Sequence, residues 1–367
     1  LTETGESNAG NQFKAEQRRS IGLFIATFLC VFMVYGFQWT GSNPLVDLEA
    51  AKASIQFAGA LMAILLAHEM AHYWVAKAHG FSLSLPYFIP FPAAFGTFGA
   101  VIRLRSLPPS RTALLEMAAA GPLAGFVVAV IAIALGLPNT VEHAVPQLTW
   151  DPALLDALRA PVPEPSAVDR LFTWIGGWTG AGVEPTEIPL MILANPLVMD
   201  AVGIGLMDAP PSRYASLDPL ATAGWVGCLL TAINLIPIGQ LDGGHILNAL
   251  APQWAPVVSR ILLAAALVAG LLWTGWAFWA ILLYAMGAWV SLPVPEEPPP
   301  SKRAYGFAAV TAVTFGLSFM PAPIEIEGFQ LDKLGWVDAQ GQPIDPSVID
   351  ELRKVMADRL DRQTTGR

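Results

Sequence analysis

LLAHEMAHYWVAKAHG, residues 65–80, decides how this chain is read. It sets His68, Glu69 and His72 inside an apolar run that begins near Ala51. On a helix, positions i and i+4 lie about 40° apart around the axis and roughly 6 Å along it. Both imidazoles then point the same way, as two ligands of one zinc ion must. Glu69 stands one residue past the first histidine, where a carboxylate can serve as general base to a water. The competing reading is a chance match in a buried helix. With only five histidines in the chain, H-E-x-x-H seldom arises by accident. A glutamate within a membrane-length apolar run is also costly unless it is paired or functional. The zinc reading is preferred.

Outward from the motif, the next stretch changes character. Between Leu83 and Arg105, Pro86, Pro90 and Pro92 break any helix, and residues 95–105 alternate like a strand. A hairpin dipping into the membrane face is expected, because irregular backbone at that depth must be covered by protein or border a watery cavity. The whole composition agrees with a membrane setting. Hydrophobic residues make up 54% and charged residues 13%, against about 25% charged in ordinary soluble domains. The mean hydropathy is +0.51. Span candidates are Ile21–Trp39, Ala51–Ala78, Thr112–Gly136, Pro219–Ile238, Pro256–Trp273, Trp276–Val290 and Ala304–Met320. The net charge of −9 gives no support to a nucleic-acid partner. Cys30 and Cys228 both fall in apolar runs and read as packing residues.

Residues 1–20 are polar and read as a mobile tail. Residues 21–136 form a membrane core holding the H-E-x-x-H helix and the hairpin. Residues 137–218 carry ten acidic side chains against three basic ones and read as an acidic, extracytoplasmic insert. Within it, Ile188–Met207 is apolar enough to touch the bilayer without crossing. Residues 219–320 return to the membrane, and 321–367 form a soluble tail ending in an amphipathic helix from Asp345-Pro346. The expectation is an all-α polytopic membrane protein. It has about six to seven transmembrane helices, a membrane-associated β-hairpin and a small soluble C-terminal tail.

A second constellation lies at 234–245, Asn-Leu-Ile-Pro-Ile-Gly-Gln-Leu-Asp-Gly-Gly-His. H-E-x-x-H supplies two ligands, and catalytic zinc usually takes a third. Asp242, a carboxylate beside a helix break, is the candidate; its other reading is an N-cap for the Gly243–Leu250 segment. His245, three residues on, competes for the ligand role. His79 lies two turns past His72, too far to share the ion, and with His143 reads as interfacial or loop. Glu116, near the start of the third span, reads as snorkelling or hydrogen-bonded.

These motifs, in this order, resemble the site-2 protease family of intramembrane zinc metalloproteases. HEMAH is followed by Gly-Pro-Leu-Ala-Gly at 121–125 and then by Asn234-x-x-Pro237-x-x-x-x-Asp242-Gly243. Phe88-Ile89-Pro90, Gly96-Thr97-Phe98-Gly99 and Phe319-Met320-Pro321 add to the likeness, which runs from about Ala51 to Ile324 and looks closest to members without a PDZ domain. The long acidic insert departs from the pattern. The resemblance implies that His68, His72 and Asp242 ligate zinc, that Glu69 is general base and acid, and that Asn234 helps hold the substrate strand.

The implied activity is metalloendopeptidase cleavage in or next to a transmembrane segment of a membrane-protein substrate, as in regulated intramembrane proteolysis. Lipid and a transmembrane protein are the expected partners. Residues 73–111 hold Lys77, Arg103, Arg105 and Arg111 and no acidic residue. That asymmetry predicts a multi-pass protein of the plasma membrane with its active site toward the cytoplasm. Two other classes compete: a catalytically silent zinc-binding scaffold or chaperone, and a polytopic transporter. An intact H-E-x-x-H disfavours the first, and the lack of repeated halves disfavours the second.

Overall fold

The apolar run from Ile21 belongs to a helix that starts well before it. A computed structural model describes residues 3–150 and 188–365, except 272, 286, 288, 291–292, 295–297, 331–332 and 339–341. Helix α1 covers Glu3–Val34 and passes into a π-helical turn, Tyr35–Trp39. Helix α2 is Leu48–Ala78 and α3 is Arg111–Gly136. Each begins at a polar cap: Asp47 accepts from the Glu49 and Ala50 N–H groups, and Ser110 accepts from that of Ala113. The segments Phe13–Trp39, Leu48–Ala78 and Arg111–Asn139 are long and apolar enough to cross a membrane. Ile21, Ile25 and Leu29 on α1, and Val127, Ile131 and Leu135 on α3, form outward apolar stripes at helical spacing.

The polar start of the chain differs from the expected mobile tail. The helix is continuous from Glu3, and Glu16 and Ser20 are buried against the hairpin. Glu16 accepts the Leu85 N–H at 3.0 Å and pairs with Arg105, while the Ser20 hydroxyl donates to the Pro86 carbonyl at 2.6 Å. These polar groups satisfy hairpin backbone that strand pairing leaves open. Polarity that read as solvation is in fact docking.

The hairpin forms as strands β1 (Tyr87–Pro90) and β2 (Thr97–Val101), antiparallel, with an irregularity between Phe88 and Pro90. It lies lengthwise on α1. The Phe24 and Phe88 rings meet edge-on at 5.0 Å, and the Trp39 indole donates to the Ala94 carbonyl at 3.1 Å. Gly96, at φ +82°, touches α1 so closely that a Cβ would fall 2.4 Å from the Val31 Cα. From Ser20 to Trp39 a helix rises about 28 Å, so the hairpin follows α1 through most of a membrane thickness.

The remaining helices are α4 (Leu197–Met207), α5 (Pro219–Leu235), α6 (Asp242–Leu250), α7 (Ala255–Ala269), α8 (Thr274–Ala285), α9 (Lys302–Ser318) and α10 (Pro346–Thr365). Four of these were expected to span. They contain 17, 15, 12 and 17 residues in α5, α7, α8 and α9, below the roughly 20 a free-standing crossing needs. Among the described residues three helices qualify as spans by length and composition, so the expected six to seven are not confirmed. Helix α5 ends early because Pro237 follows it. It is nevertheless the most enclosed helix, packed by α2 and α3 along most of its length. A Cβ on its Gly224 would lie 2.6 Å from the Ala129 carbonyl of α3.

The acidic insert and the C-terminal tail, distant in sequence, meet. Strand β3 (Gln147–Thr149) pairs in parallel with β6 (Gly335–Val337). Strand β4 (Ile188–Leu193) pairs antiparallel with β5 (Ile324–Phe329), from Ile188↔Phe329 to Leu193↔Ile324. The amphipathic α10 lays Leu352 against Leu334 and Trp336, with Trp150 and Phe329 at the edge of this small core. The 188–207 stretch is thus a strand and an eleven-residue helix, too short to cross. Trp174 and Trp178 of the insert lie outside the described residues.

Candidate metal centre

Helix α2 runs without a break through residues 65–78, so the i, i+4 rule applies as written. His68 and His72 are both buried and their Nε2 atoms stand 3.1 Å apart. The first residue of α6 completes the group: Asp242 Oδ2 lies 3.2 Å from His68 Nε2 and Oδ1 lies 3.3 Å from His72 Nε2. One donor atom from each residue falls within 4.8 Å of the others. Ligands held 2.0–2.2 Å from a zinc ion sit about 3.3–3.6 Å apart at the corners of a tetrahedron. Two imidazole nitrogens and a carboxylate at nearly that spacing form one face of such a site, and the donor set suits zinc.

The carboxylate of Asp242 is not spent on capping. Leu241 occupies the N-cap position, and no side-chain cap bond is made there. The acid is instead aimed at α2 by a tight turn. A Cβ on Gly243 would fall 2.0 Å from the Leu235 carbonyl, so only glycine lets α6 start this close to the end of α5. At its other end α6 is held by α3: Arg111 donates through Nε to the Ala249 carbonyl and through Nη2 to that of Leu250, both at 2.6 Å. These are helix carbonyls with no intrahelical partner, and a guanidinium suits them.

His72 is oriented from behind. Its Nδ1 donates to the Met117 carbonyl of α3 at 2.8 Å, which leaves the Nε2 lone pair directed at the ligand cluster. The small residues at 118–125 do more than let two helices approach. A Cβ on Gly121 would lie 2.1 Å from His72 Nε2, and one on Gly125 would lie 3.2 Å from the His68 Cβ. The two imidazoles occupy space that these glycines leave open.

Glu69 is buried beside the cluster, yet it is not one of the residues whose donor atoms converge. It faces a cavity of about 380 Å³ that the three candidate ligands also line, together with Asn234, His245 and residues 100–104 of the hairpin. His245, the rival third ligand, is in this cavity but outside the converging group. Glu116 is bound, as expected: the His79 imidazole lies 3.0 Å from it and the Arg303 guanidinium 3.7 Å. His79 itself is the C-cap of α2, and His143 lies in a loop 3.2 Å from the Ser216 hydroxyl. The Arg111 clamp and the Met117 carbonyl were missed. Backbone acceptors leave no mark in sequence, and an arginine at a span's start reads as a membrane-end charge.

The profile of Peptidase family M50 matches residues 56–272, more than half of the chain. A rice protein (Oryza sativa subsp. indica) named "Probable zinc metalloprotease EGY2, chloroplastic" is 31% identical over 289 residues, 78% of this chain and 46% of the relative. The Arabidopsis thaliana protein of the same name is 29% identical over 293 residues, with 79% and 46% covered. "Probable zinc metalloprotease EGY1, chloroplastic" of Arabidopsis thaliana is 29% identical over 204 residues, with 55% and 30% covered. The chain thus spans about half the length, or less, of these curated relatives. No solved structure matches. The relatives' names speak of chloroplasts, so the comparisons lend the expected plasma-membrane and cytoplasmic placement no support.

Proposed function

Because this chain belongs to peptidase family M50, the site-2 protease family, we propose that it is a zinc metalloendopeptidase that cleaves a membrane-protein substrate in or next to a transmembrane segment. The observation that carries the reading is the convergence of His68, His72 and Asp242, with Glu69 buried beside them and not among them. When bound, zinc would polarise a carbonyl and acidify a water.

The chain's own residues supply the rest. His68, His72 and Asp242 hold the ion, and Met117 fixes the His72 tautomer through Nδ1–H. Glu69 takes the proton of the attacking water and delivers it to the leaving amine. Asn234, whose side chain makes no hydrogen bond to the described residues, binds the substrate backbone within the cavity. Among the described residues strand β2 is paired only with β1, and residues 100–104 border the cavity. An extended substrate segment adds to that edge as a further strand. A transmembrane helix hides its carbonyls in its own hydrogen bonds, so the substrate must unwind first.

The shorter helices α5, α7, α8 and α9 lie in the membrane with the three long ones, giving the six to seven membrane segments of the sequence reading. The end of the molecule bearing Lys77, Arg103, Arg105 and Arg111 faces the basic side, with the metal centre toward it. Cleavage there constitutes regulated intramembrane proteolysis. Metal analysis of the purified protein tests the core of the proposal. About one zinc per chain is expected for a single catalytic site, with loss in His68→Ala, His72→Ala and Asp242→Ala. Full occupancy in Asp242→Ala would move the third ligand elsewhere and undo this assignment.

A further inference from the structure

One buried polar atom of the cavity lining has no hydrogen-bond partner among the described residues. His245 is 7% exposed and lines the cavity with the candidate ligands and Glu69. Its Nδ1 is enclosed and makes no hydrogen bond to the described residues. An unpaired buried nitrogen costs about 1–3 kcal/mol, and natural folds seldom keep one without a use. The group is not loosely placed. His245 sits one turn along α6 from Asp242, on a helix fixed at its start by the Gly243 contact and at its end by Arg111. Its backbone N–H donates to the Leu241 carbonyl at 2.9 Å. Nor is it a fourth ligand, because its nitrogens do not converge with those of His68 and His72.

We infer that His245 is a further catalytic residue, whose imidazole N–H donates a hydrogen bond to the scissile carbonyl oxygen as negative charge develops on it. The inference rests on the protease reading. A hydrogen-bond donor aimed at the site where charge appears helps the transition state more than the bound substrate. Nδ1 is enclosed and out of a substrate's reach, so the donor is Nε2–H, whose partner arrives only with the substrate. His245 moves no proton in this role; Glu69 does that. The two groups therefore divide the work of base and oxyanion donor.

The test uses purified full-length protein and a doubly labelled synthetic segment of about 20 apolar residues interrupted by Asn-Gly. His245→Phe keeps the ring shape and removes the donor. His245→Gln places an amide nitrogen near the Nε2 position and keeps a donor. The expected result is zinc content equal to wild type in both. In His245→Phe, kcat should fall by about 10²–10³ with KM changed by less than about threefold, as for loss of one oxyanion donor. In His245→Gln it should recover to within about tenfold of wild type. Wild-type kcat in His245→Phe, loss of zinc, or a rise in KM alone would overturn the inference. A phosphinic analogue of the segment, with a tetrahedral centre, separates this from failure of the protease reading. It should bind wild type tightly and His245→Phe at least about tenfold more weakly, whether or not the segment is cleaved. Equal binding to both, or none to wild type, would also overturn it.

Discussion

Gly121 of α3 lies so close to His72 of α2 that a methyl group in place of its hydrogen would stand 2.1 Å from Nε2. That distance is far inside van der Waals contact, and the atom it would strike is the one aimed at the metal. Gly121→Ala must therefore displace the imidazole or part the two helices. The prediction is a fall in zinc affinity of at least about tenfold, in line with other disturbances of groups that orient ligands. Gly125→Ala meets the His68 Cβ at 3.2 Å and should cost far less. Competition with a calibrated zinc chelator measures both. Equal affinity in Gly121→Ala and wild type would show that α3 does not shape the site.

The two glycines also show where sequence reading stops. The motif in α2 pointed to a candidate metal centre because its chemistry is local: two imidazoles and an acid on consecutive turns of one helix. Asp242 stood out because a carboxylate beside a helix break is costly without a partner, but weighing it as candidate ligand against its N-cap reading and against His245 needed the geometry. Gly121 and Gly125 were legible only as part of a family motif, not as the space His68 and His72 fill. The hairpin was read from its prolines and alternation. Its course along α1 was not, since the pairing groups Glu16 and Ser20 sit in a stretch whose polarity mimics a tail. The pairing of β4 with β5 joins residues more than a hundred positions apart, and nothing local to either strand encodes its partner.

Arg111 offers a second handle on the site that touches no ligand. Its guanidinium holds the last carbonyls of α6, the helix whose first residue is Asp242. Charge-assisted hydrogen bonds of this kind are worth about 1.5–3 kcal/mol. Arg111→Leu should lower the thermal midpoint in detergent and weaken zinc binding together, whereas Arg111→Lys should recover part of both. A normal midpoint with normal zinc affinity in Arg111→Leu would show that α6 is held by packing alone.

The joining of insert and tail makes a topological prediction. Because β3 pairs with β6 and β4 with β5, cysteines placed at Glu142 and Asp350 must lie on one side of the membrane. A cysteine at Ser106, near the basic end of the hairpin, must lie on the other. On a background lacking Cys30 and Cys228, an impermeant maleimide applied to sealed vesicles should label the first two alike and Ser106 oppositely. Labelling of Glu142 and Asp350 from opposite sides would break the subdomain described here.

The central claim is that Glu69 works as a base beside a metal it does not ligate, and one pair of measurements on one variant addresses it. Purified wild type and Glu69→Gln protein are each assayed for zinc and for cleavage of a labelled membrane segment. The account predicts about one zinc per chain in both, with cleavage by wild type and none detectable from Glu69→Gln. A Glu69→Gln protein that cleaves at the wild-type rate, or that loses its zinc, would contradict it.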